Sequence, residues 1–370
     1  MEIFRPYGFD KPLFLVTLIL ISFGLVMVFS SSAILASEKF AQPFHYFIHQ
    51  LTGVILGLAF ILVMLAVRKP FYQNTQFIYG ILILTLILLA LSLAMPALGT
   101  TNRWIHFYGL RFQPSELAKI SMVLFLAHYL DKKSERLGEF KTLLIPLAVI
   151  FLAVLLIIIE PDYGSALLLF VICTMTLFVG GVKFAYFLLL GTASSALFIY
   201  YLFKASYRLN RVFAFLSPDS DPLGSGFQII QSKMAIGSGG LFGVSIGEST
   251  QKLFFLPCAH TDYIYAIIGE ELGLMGTLAL LLLFGVFLWR GLVISWRAPD
   301  AFCRILAAGL TVAIFAQALL NISIVLGLGP PTGLPLPLIS FGRSSLLCTL
   351  LTVGILLHIS QRKKGSKKKR

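Results

Sequence analysis

The sequence predicts an all-α polytopic membrane protein with about ten transmembrane helices, both termini cytoplasmic, and a long extracytoplasmic loop between the seventh and eighth. Three observations carry that prediction. Hydrophobic residues make up 58% of the chain and charged residues 12%, where a soluble domain holds about 45–50% and about 25%. Ten apolar stretches recur, each near the ~20 residues a helix needs to cross the hydrocarbon. Most of the 29 basic residues fall in the segments that would then face the cytoplasm, as the positive-inside rule requires. A water-soluble enzyme is excluded, and so is a disordered chain, because 33 Phe in an apolar sequence would not stay solvated.

Arg5 and Lys11 precede the first span, 13–34. No small-residue cleavage site follows it, so an uncleaved helix is expected rather than a signal peptide. Spans 47–67 and 77–96 come next, joined through Arg68 and Lys69. The outer segment Gly99 to Lys119 then mixes charged, aromatic and turn residues, and Pro114 suits the first turn of a fourth span, 114–130. Spans 142–159, 164–182 and 184–203 follow. The loop from Lys204 to Asp262 is too long for an ordinary connection and points to function. Within it, Phe227 to Ile236 has helical spacing, with Phe227, Ile230 and Met234 on one face, as in a short helix lying in the interface. Gly237, Gly239, Gly240, Gly243 and Gly247 then interrupt regular structure. They form no phosphate loop, because no G-K-[ST] ending follows and the G-x-G-x-x-G spacing fails at Phe242.

The eighth and ninth spans cover 262–290 and 304–327. Gly327 to Ser345 is too rich in proline to be a continuous helix, and such backbone at membrane depth belongs where it lines a cavity. The tenth span, 344–361, ends in seven basic residues between Arg362 and Arg370, whose expected role is an anchor on anionic lipid. The formal charge of +13 therefore does not argue for nucleic acid. Cys173, Cys258, Cys303 and Cys348 form no C-x-x-C pair, so neither a zinc site nor a disulfide framework is indicated. One integral membrane domain, 1–370, is expected, with its outer loop at about 204–262 and its basic tail at 362–370.

Charged residues near the outer ends of spans are the informative ones, because a charge facing lipid is costly. Asp262 stands where the long loop meets the eighth span. Its position suits a helix N-cap and equally a carboxylate aimed into a cavity. Glu270 and Glu271 lie about 12 Å further along a helix, beyond the separation that paired-carboxylate glycosidases use. Structural polar packing accounts for them as well as function does. Arg103, Arg111 and Lys119 crowd an outer boundary where anchoring to the inner leaflet is no explanation, and three cations there suit a pyrophosphate. Glu116 and Lys119 stand three apart on one helix face, the spacing of an intrahelical ion pair. His106 and His260, beside these clusters, read more readily as interfacial hydrogen-bonding residues than as metal ligands.

Several motifs then resemble one family. Arg103-Trp-Ile precedes Phe112-Gln-Pro-Ser-Glu-Leu-Ala-Lys119; Glu160-Pro-Asp-Tyr-Gly164 and Asp221-Pro-Leu-Gly224 follow. Ala235-Ile-Gly-Ser-Gly-Gly-Leu-Phe-Gly243, His260-Thr-Asp262, Gly269-Glu-Glu-Leu-Gly273 and Gly333-Leu-Pro-Leu-Pro337 complete the set. Across nearly its whole length the chain is similar to the SEDS family (shape, elongation, division and sporulation), whose members polymerise the peptidoglycan precursor lipid II. It is more similar to the division branch than to the elongation branch. The resemblance implies that Asp262 is the essential catalytic carboxylate, and that Arg103, Arg111, Gln113, Glu116, Lys119, His260, Thr261 and Ser344 belong to the substrate-binding cavity. It implies lipid II and the nascent glycan strand as substrates. Its implied partners are a class B penicillin-binding protein and the divisome, in the bacterial cytoplasmic membrane with the active site facing outward.

No cofactor is fixed by the sequence; a divalent cation, Mg or Mn, is compatible with the chemistry, and no metal ligands are assigned. Two departures from the family pattern stand out. Cys258 replaces a Glu, which removes an acidic neighbour of Asp262, and Arg343 replaces a Gly. An elongation polymerase and a lipid II flippase are the alternative functions. A non-catalytic scaffold would leave the outer charged cluster without a purpose.

Overall fold

The structure, a computed structural model, describes residues 8–67, 70–95, 103–107, 110–183, 185–187, 215–222, 224, 226–253 and 255–362, without the side chains of 106–107 and 110–111. Nearly all of the expected seventh span lies outside the described residues.

The first helix, α1 (Lys11–Phe40), begins where Asp10 accepts from the backbone N–H of Leu13 at 3.0 Å and Pro12 occupies the first turn. It ends at Ala41, whose left-handed conformation halts the helix. Next come α2 (His45–Ala66) and α3 (Thr75–Ala94), the latter capped by Asn74. A short antiparallel hairpin, β1 (Ile105–Phe107) and β2 (Leu110–Phe112), sets Ile105 opposite Phe112 and His106 opposite Arg111. It delivers the chain into α4 (Pro114–Lys132), which starts on the proline as expected. The remaining helices are α5 (Phe140–Ile159), α6 (Tyr163–Val179), α7 (Phe227–Ser238), α8 (Ile264–Trp296), α9 (Ala301–Val325) and α10 (Arg343–Ser360).

Each of the nine expected spans within the described residues corresponds to one helix. Seven of these helices are long and apolar enough to cross a membrane on those grounds alone. The exceptions are α6, at 17 residues, and α4, which carries Glu116, Lys119, Asp131 and Lys132. Burial explains how α4 keeps its charges. Its inner surface is surrounded by α3, α6, α9 and α10, and nearly every residue from Pro114 to Leu130 is buried. Windows of α9 and α10 are buried over 72% and 78%, against 28% for α3, α5 and α8. The molecule is thus a ring of lipid-facing helices around a core of α4, α9 and α10.

Two stretches depart from helix at depth, and both are closed by hydrogen bonds from within the protein. At Gly273, φ is 64° and ψ −163°, so the α8 ladder breaks after its first turns. The loop following α7 inserts there. Val244 and Ser245 N–H groups donate to the carbonyls of Glu270 and Glu271, while Leu274 and Met275 N–H groups donate to those of Gly240 and Leu241. Bonds lost by the helix are recovered across the break, as a water-poor setting demands.

The second stretch is 327–342, whose non-helical course was expected. Its carbonyls at Leu334, Pro335 and Ser340 receive Asn321, Gln317 and Gln50 amides at 2.7, 2.9 and 3.0 Å. The helix α7 lies as expected in outline, but its inward residues are Ile229, Ser232 and Ala235, and Met234 faces outward. Ser232 donates to the Val325 carbonyl at 2.6 Å, which pins α7 to the end of α9.

Candidate functional site

The polypeptide around Asp262 is a tight turn gathered on one carbonyl. Cys258, with φ at 57°, presents its C=O to the N–H of Thr261 at 3.1 Å, the Thr261 hydroxyl at 3.2 Å and the N–H of Tyr263 at 3.3 Å. The Thr261 side chain is therefore spent on the turn, which is where the structure places this predicted substrate contact. The helix begins at Ile264 with Tyr263 in the cap position and no side-chain capping bond. The cap position thus falls on Tyr263 and not on Asp262, which stands one residue further out, within the turn gathered on the Cys258 carbonyl. The carbonyl of Asp262 is held by the Asn321 amide at 2.7 Å.

Gly333 lies beside the carboxylate. A methyl group built on it would stand 3.4 Å from Asp262 Oδ2 and 3.7 Å from an Arg103 guanidinium nitrogen. The carboxylate and the guanidinium thus converge on bare backbone, at a glycine whose φ of 73° disfavours any side chain. Arg103 is held from behind by Asp162, 3.8 Å away. Asp162 also accepts from Gln113 at 3.0 Å and from the Ser165 N–H and hydroxyl at 3.1 and 2.9 Å, so it caps α6 while fixing two predicted site residues. The Nε of Arg103 is buried and has no hydrogen-bond partner among the described residues. It is a donor left over for an anion. Beside Asp162, burial pushes the Glu160 carboxyl up to about 7, so part of its negative charge is absent near neutral pH.

Glu116 and Lys119 do form the expected pair, at 2.8 Å, but it is buried in the helix core rather than exposed. Lys119 also donates to Gln317 Oε1 at 2.6 Å, and Gln317 passes the connection to the Pro335 carbonyl. A cavity of about 20 Å³, room for roughly one water, lies beside them between α4, α9 and α10. Gln317 and Asn321, one turn apart on α9, therefore brace the proline-rich segment and the backbone of Asp262 together. Sequence reasoning missed both, along with Asp162 and Gln50. The available signal was a pair of amides spaced i, i+4 inside an apolar span.

His260 sits in an aromatic cluster. Its ring packs against Tyr46 at 4.6 Å and Phe341 at 5.9 Å, and its carbonyl accepts from the Phe341 N–H at 3.0 Å. Burial pushes the imidazole down to about 4, so it is neutral at physiological pH and offers no charge to a phosphate. Ser344 is buried in the first turn of α10 and, among the described residues, makes no hydrogen bond to this group. The Arg111 side chain lies outside the described residues, although its backbone places it opposite His106 in the hairpin. Arg343 turns towards α2, its aliphatic stem beside Gly53.

Glu270 and Glu271 are structural. Glu270 accepts from the Ser249 hydroxyl and from the N–H and hydroxyl of Thr250 at 2.8 and 2.9 Å. Glu271 pairs with Lys252 at 2.9 Å and accepts from Ser30 at 2.6 Å. Among the described residues no three His, Cys, Asp or Glu side chains converge into a metal cage.

The model of the FtsW/RodA/SpoVE family, described as cell cycle proteins, matches residues 11–365. Stage V sporulation protein E of Bacillus subtilis is 39% identical over 95% of this chain and 97% of its own length. A protein of Geobacter metallireducens named probable peptidoglycan glycosyltransferase FtsW is 42% identical over 97% and 96%. Among solved structures, a chain of a peptidoglycan synthase complex that coordinates polymerization and crosslinking superposes with a TM-score of 0.79 at 27% identity, covering 95% of this chain and 98% of that one. The Thermus thermophilus rod shape determining protein RodA gives 0.70 at 26%, covering 95% and 97%.

Proposed function

Because this chain belongs to the FtsW/RodA/SpoVE family of cell cycle proteins, we propose that it is a peptidoglycan glycosyltransferase that polymerises lipid II at the outer face of the cytoplasmic membrane, in septal wall synthesis. The observation that carries the reading is the meeting of the Asp262 carboxylate and the Arg103 guanidinium at Gly333. Glycosyl transfer needs a base for the acceptor hydroxyl and a cation for the departing phosphate, within one substrate's reach of each other.

In this mechanism Asp262 takes the proton from the glucosamine hydroxyl of an incoming lipid II as that oxygen bonds to the anomeric carbon of the growing strand. The bond from that carbon to the undecaprenyl pyrophosphate breaks on the opposite face, which inverts the centre. Arg103, with its spare Nε–H, and Arg111 receive the charge that develops on the leaving oxygen. An aspartate of ordinary basicity suffices, since it is ionised near neutral pH. The pair Glu116 and Lys119 acts through Gln317 on the 327–342 backbone and so positions Gly333 rather than touching the phosphates. A class B penicillin-binding transpeptidase is the expected partner, with the divisome around it, in keeping with the synthase complex whose chain this fold matches.

The test is polymerisation of labelled lipid II by the purified protein, alone and with a catalytically silent transpeptidase partner. Wild type yields glycan strands, and Asp262→Asn, folded and partner-bound, yields none. An active Asp262→Asn protein would remove Asp262 from its role. Translocation of lipid II across vesicles by a folded wild type that forms no polymer would replace the transferase by a flippase.

A further inference from the structure

At the end of the bundle that carries both chain termini, a cavity of about 330 Å³ opens between the start of α1, the end of α8 and the end of α10. Four cations stand around it, Lys11, Arg290, Arg297 and Arg362, against a single carboxylate, Asp10. Asp10 is already engaged. It caps α1, and it takes Arg290 in a two-point pair, with Nε on Oδ1 at 3.2 Å and Nη2 on Oδ2. That pairing neutralises Arg290 and fixes its plane, and Arg362 at the rim turns its guanidinium to Cys303 Sγ at 3.4 Å, so the cations left facing the cavity are Lys11 and Arg297. The rest of the lining is largely apolar, through Phe9, Val293, Ile294 and Ile359.

Cations above an apolar floor suit an amphiphile with an anionic head. The level in the membrane agrees. Trp289 and Trp296, at the same end of α8, are 61% and 83% exposed, and the Arg290 guanidinium lies 5.4 Å from the Trp289 ring. Tryptophan concentrates where headgroups meet hydrocarbon, so the cavity opens at the depth of lipid phosphates. Its volume is ample for a phosphate and the glycerol carbons attached to it. Asp262 precedes the first residue of α8 and this cavity surrounds the last ones, so the two sites occupy opposite ends of a 33-residue helix.

We propose that this cavity is a binding site for the phosphate headgroup of an anionic membrane phospholipid, held by Lys11 and Arg297 on the platform of the Asp10–Arg290 pair, with Arg362 at its rim. The site seats one lipid between α1, α8 and α10.

Full-length protein, stripped of lipid in a neutral detergent, is titrated with phosphatidylglycerol, phosphatidylcholine, or inorganic phosphate, with binding read by native mass spectrometry and by thermal midpoint. Phosphatidylglycerol is expected to bind with one-to-one stoichiometry and raise the midpoint, while phosphatidylcholine and inorganic phosphate do neither. The double variant Lys11→Gln with Arg297→Gln removes two exposed cations and should weaken phosphatidylglycerol about thirtyfold, with Arg362→Gln, at the rim, a smaller separate loss. Lys133→Gln with Arg136→Gln, exposed cations outside the cavity, should bind as wild type does. Equal binding of phosphatidylcholine, or undiminished binding by both sets of cavity variants, overturns the site. An equal response to inorganic phosphate overturns the lipid and makes the ligand a soluble anion.

Discussion

His260 shows how far a side chain's surroundings reassign it. The family resemblance puts it in the substrate-binding cavity, yet Tyr46 and Phe341 pack on its ring, and burial holds it near 4 against the ordinary 6.5. Between those values the unfolded chain binds a proton that the folded chain refuses. Its contribution to stability is therefore complete above about pH 6.5 and is lost as pH falls, by about 2 kcal/mol at pH 5. The thermal midpoint of wild type should drop between about pH 7 and about pH 5 more steeply than that of His260→Phe, which keeps the aromatic packing without the titration. Parallel profiles would show that the imidazole is not excluded from protonation. Asp262 was legible as a candidate, because a carboxylate at a span's outer end is conspicuous. Asp162 was not, because nothing in a sequence says that the residue capping α6 also stands 3.8 Å from Arg103.

Among the elements, spans were read with little error, because an apolar run long enough to cross the hydrocarbon has few other meanings. The break in α8 was not. Gly273 reads as one more glycine in a helix until the loop after α7 is seen to enter the gap, and that loop is some thirty residues away in sequence. The pair Lys252 and Glu271 fastens the same region, both side chains being almost wholly buried. Removing one partner of such a pair strands the other charge, at a cost of about 3–5 kcal/mol. Lys252→Met should lower the unfolding midpoint sharply, and adding Glu271→Gln should recover much of the loss. Equal stability of Lys252→Met and wild type would show that the pair carries no weight.

For the molecule as a whole, the order of spans and the segregation of basic residues were enough to propose a topology, whereas the inner packing of α4, α9 and α10 was not visible. Sequence distinguishes apolar from polar residues, but it does not say which apolar helix faces lipid. The cysteines supply a test of the orientation. Cys258 is exposed, four residues before Asp262, and Cys173, Cys303 and Cys348 are buried. A membrane-impermeant maleimide applied to intact spheroplasts should label wild type and leave Cys258→Ser unlabelled. Although the residue is exposed, partial desolvation of its sulfur and the nearby Asp262 charge raise the Cys258 thiol above its ordinary range, so labelling should quicken as pH rises. Labelling that requires inverted vesicles would turn the site to the cytoplasm.

The backbone bonds joining residues 240–245 to the interrupted α8 carry one more consequence. Separating them where water is scarce would leave eight peptide groups unpaired, each costing several kcal/mol. The glycine-rich stretch is thereby riveted to the helix that begins beside Asp262. It cannot swing as a lid between cycles. Any movement that opens or closes the site must therefore come from elements other than this stretch.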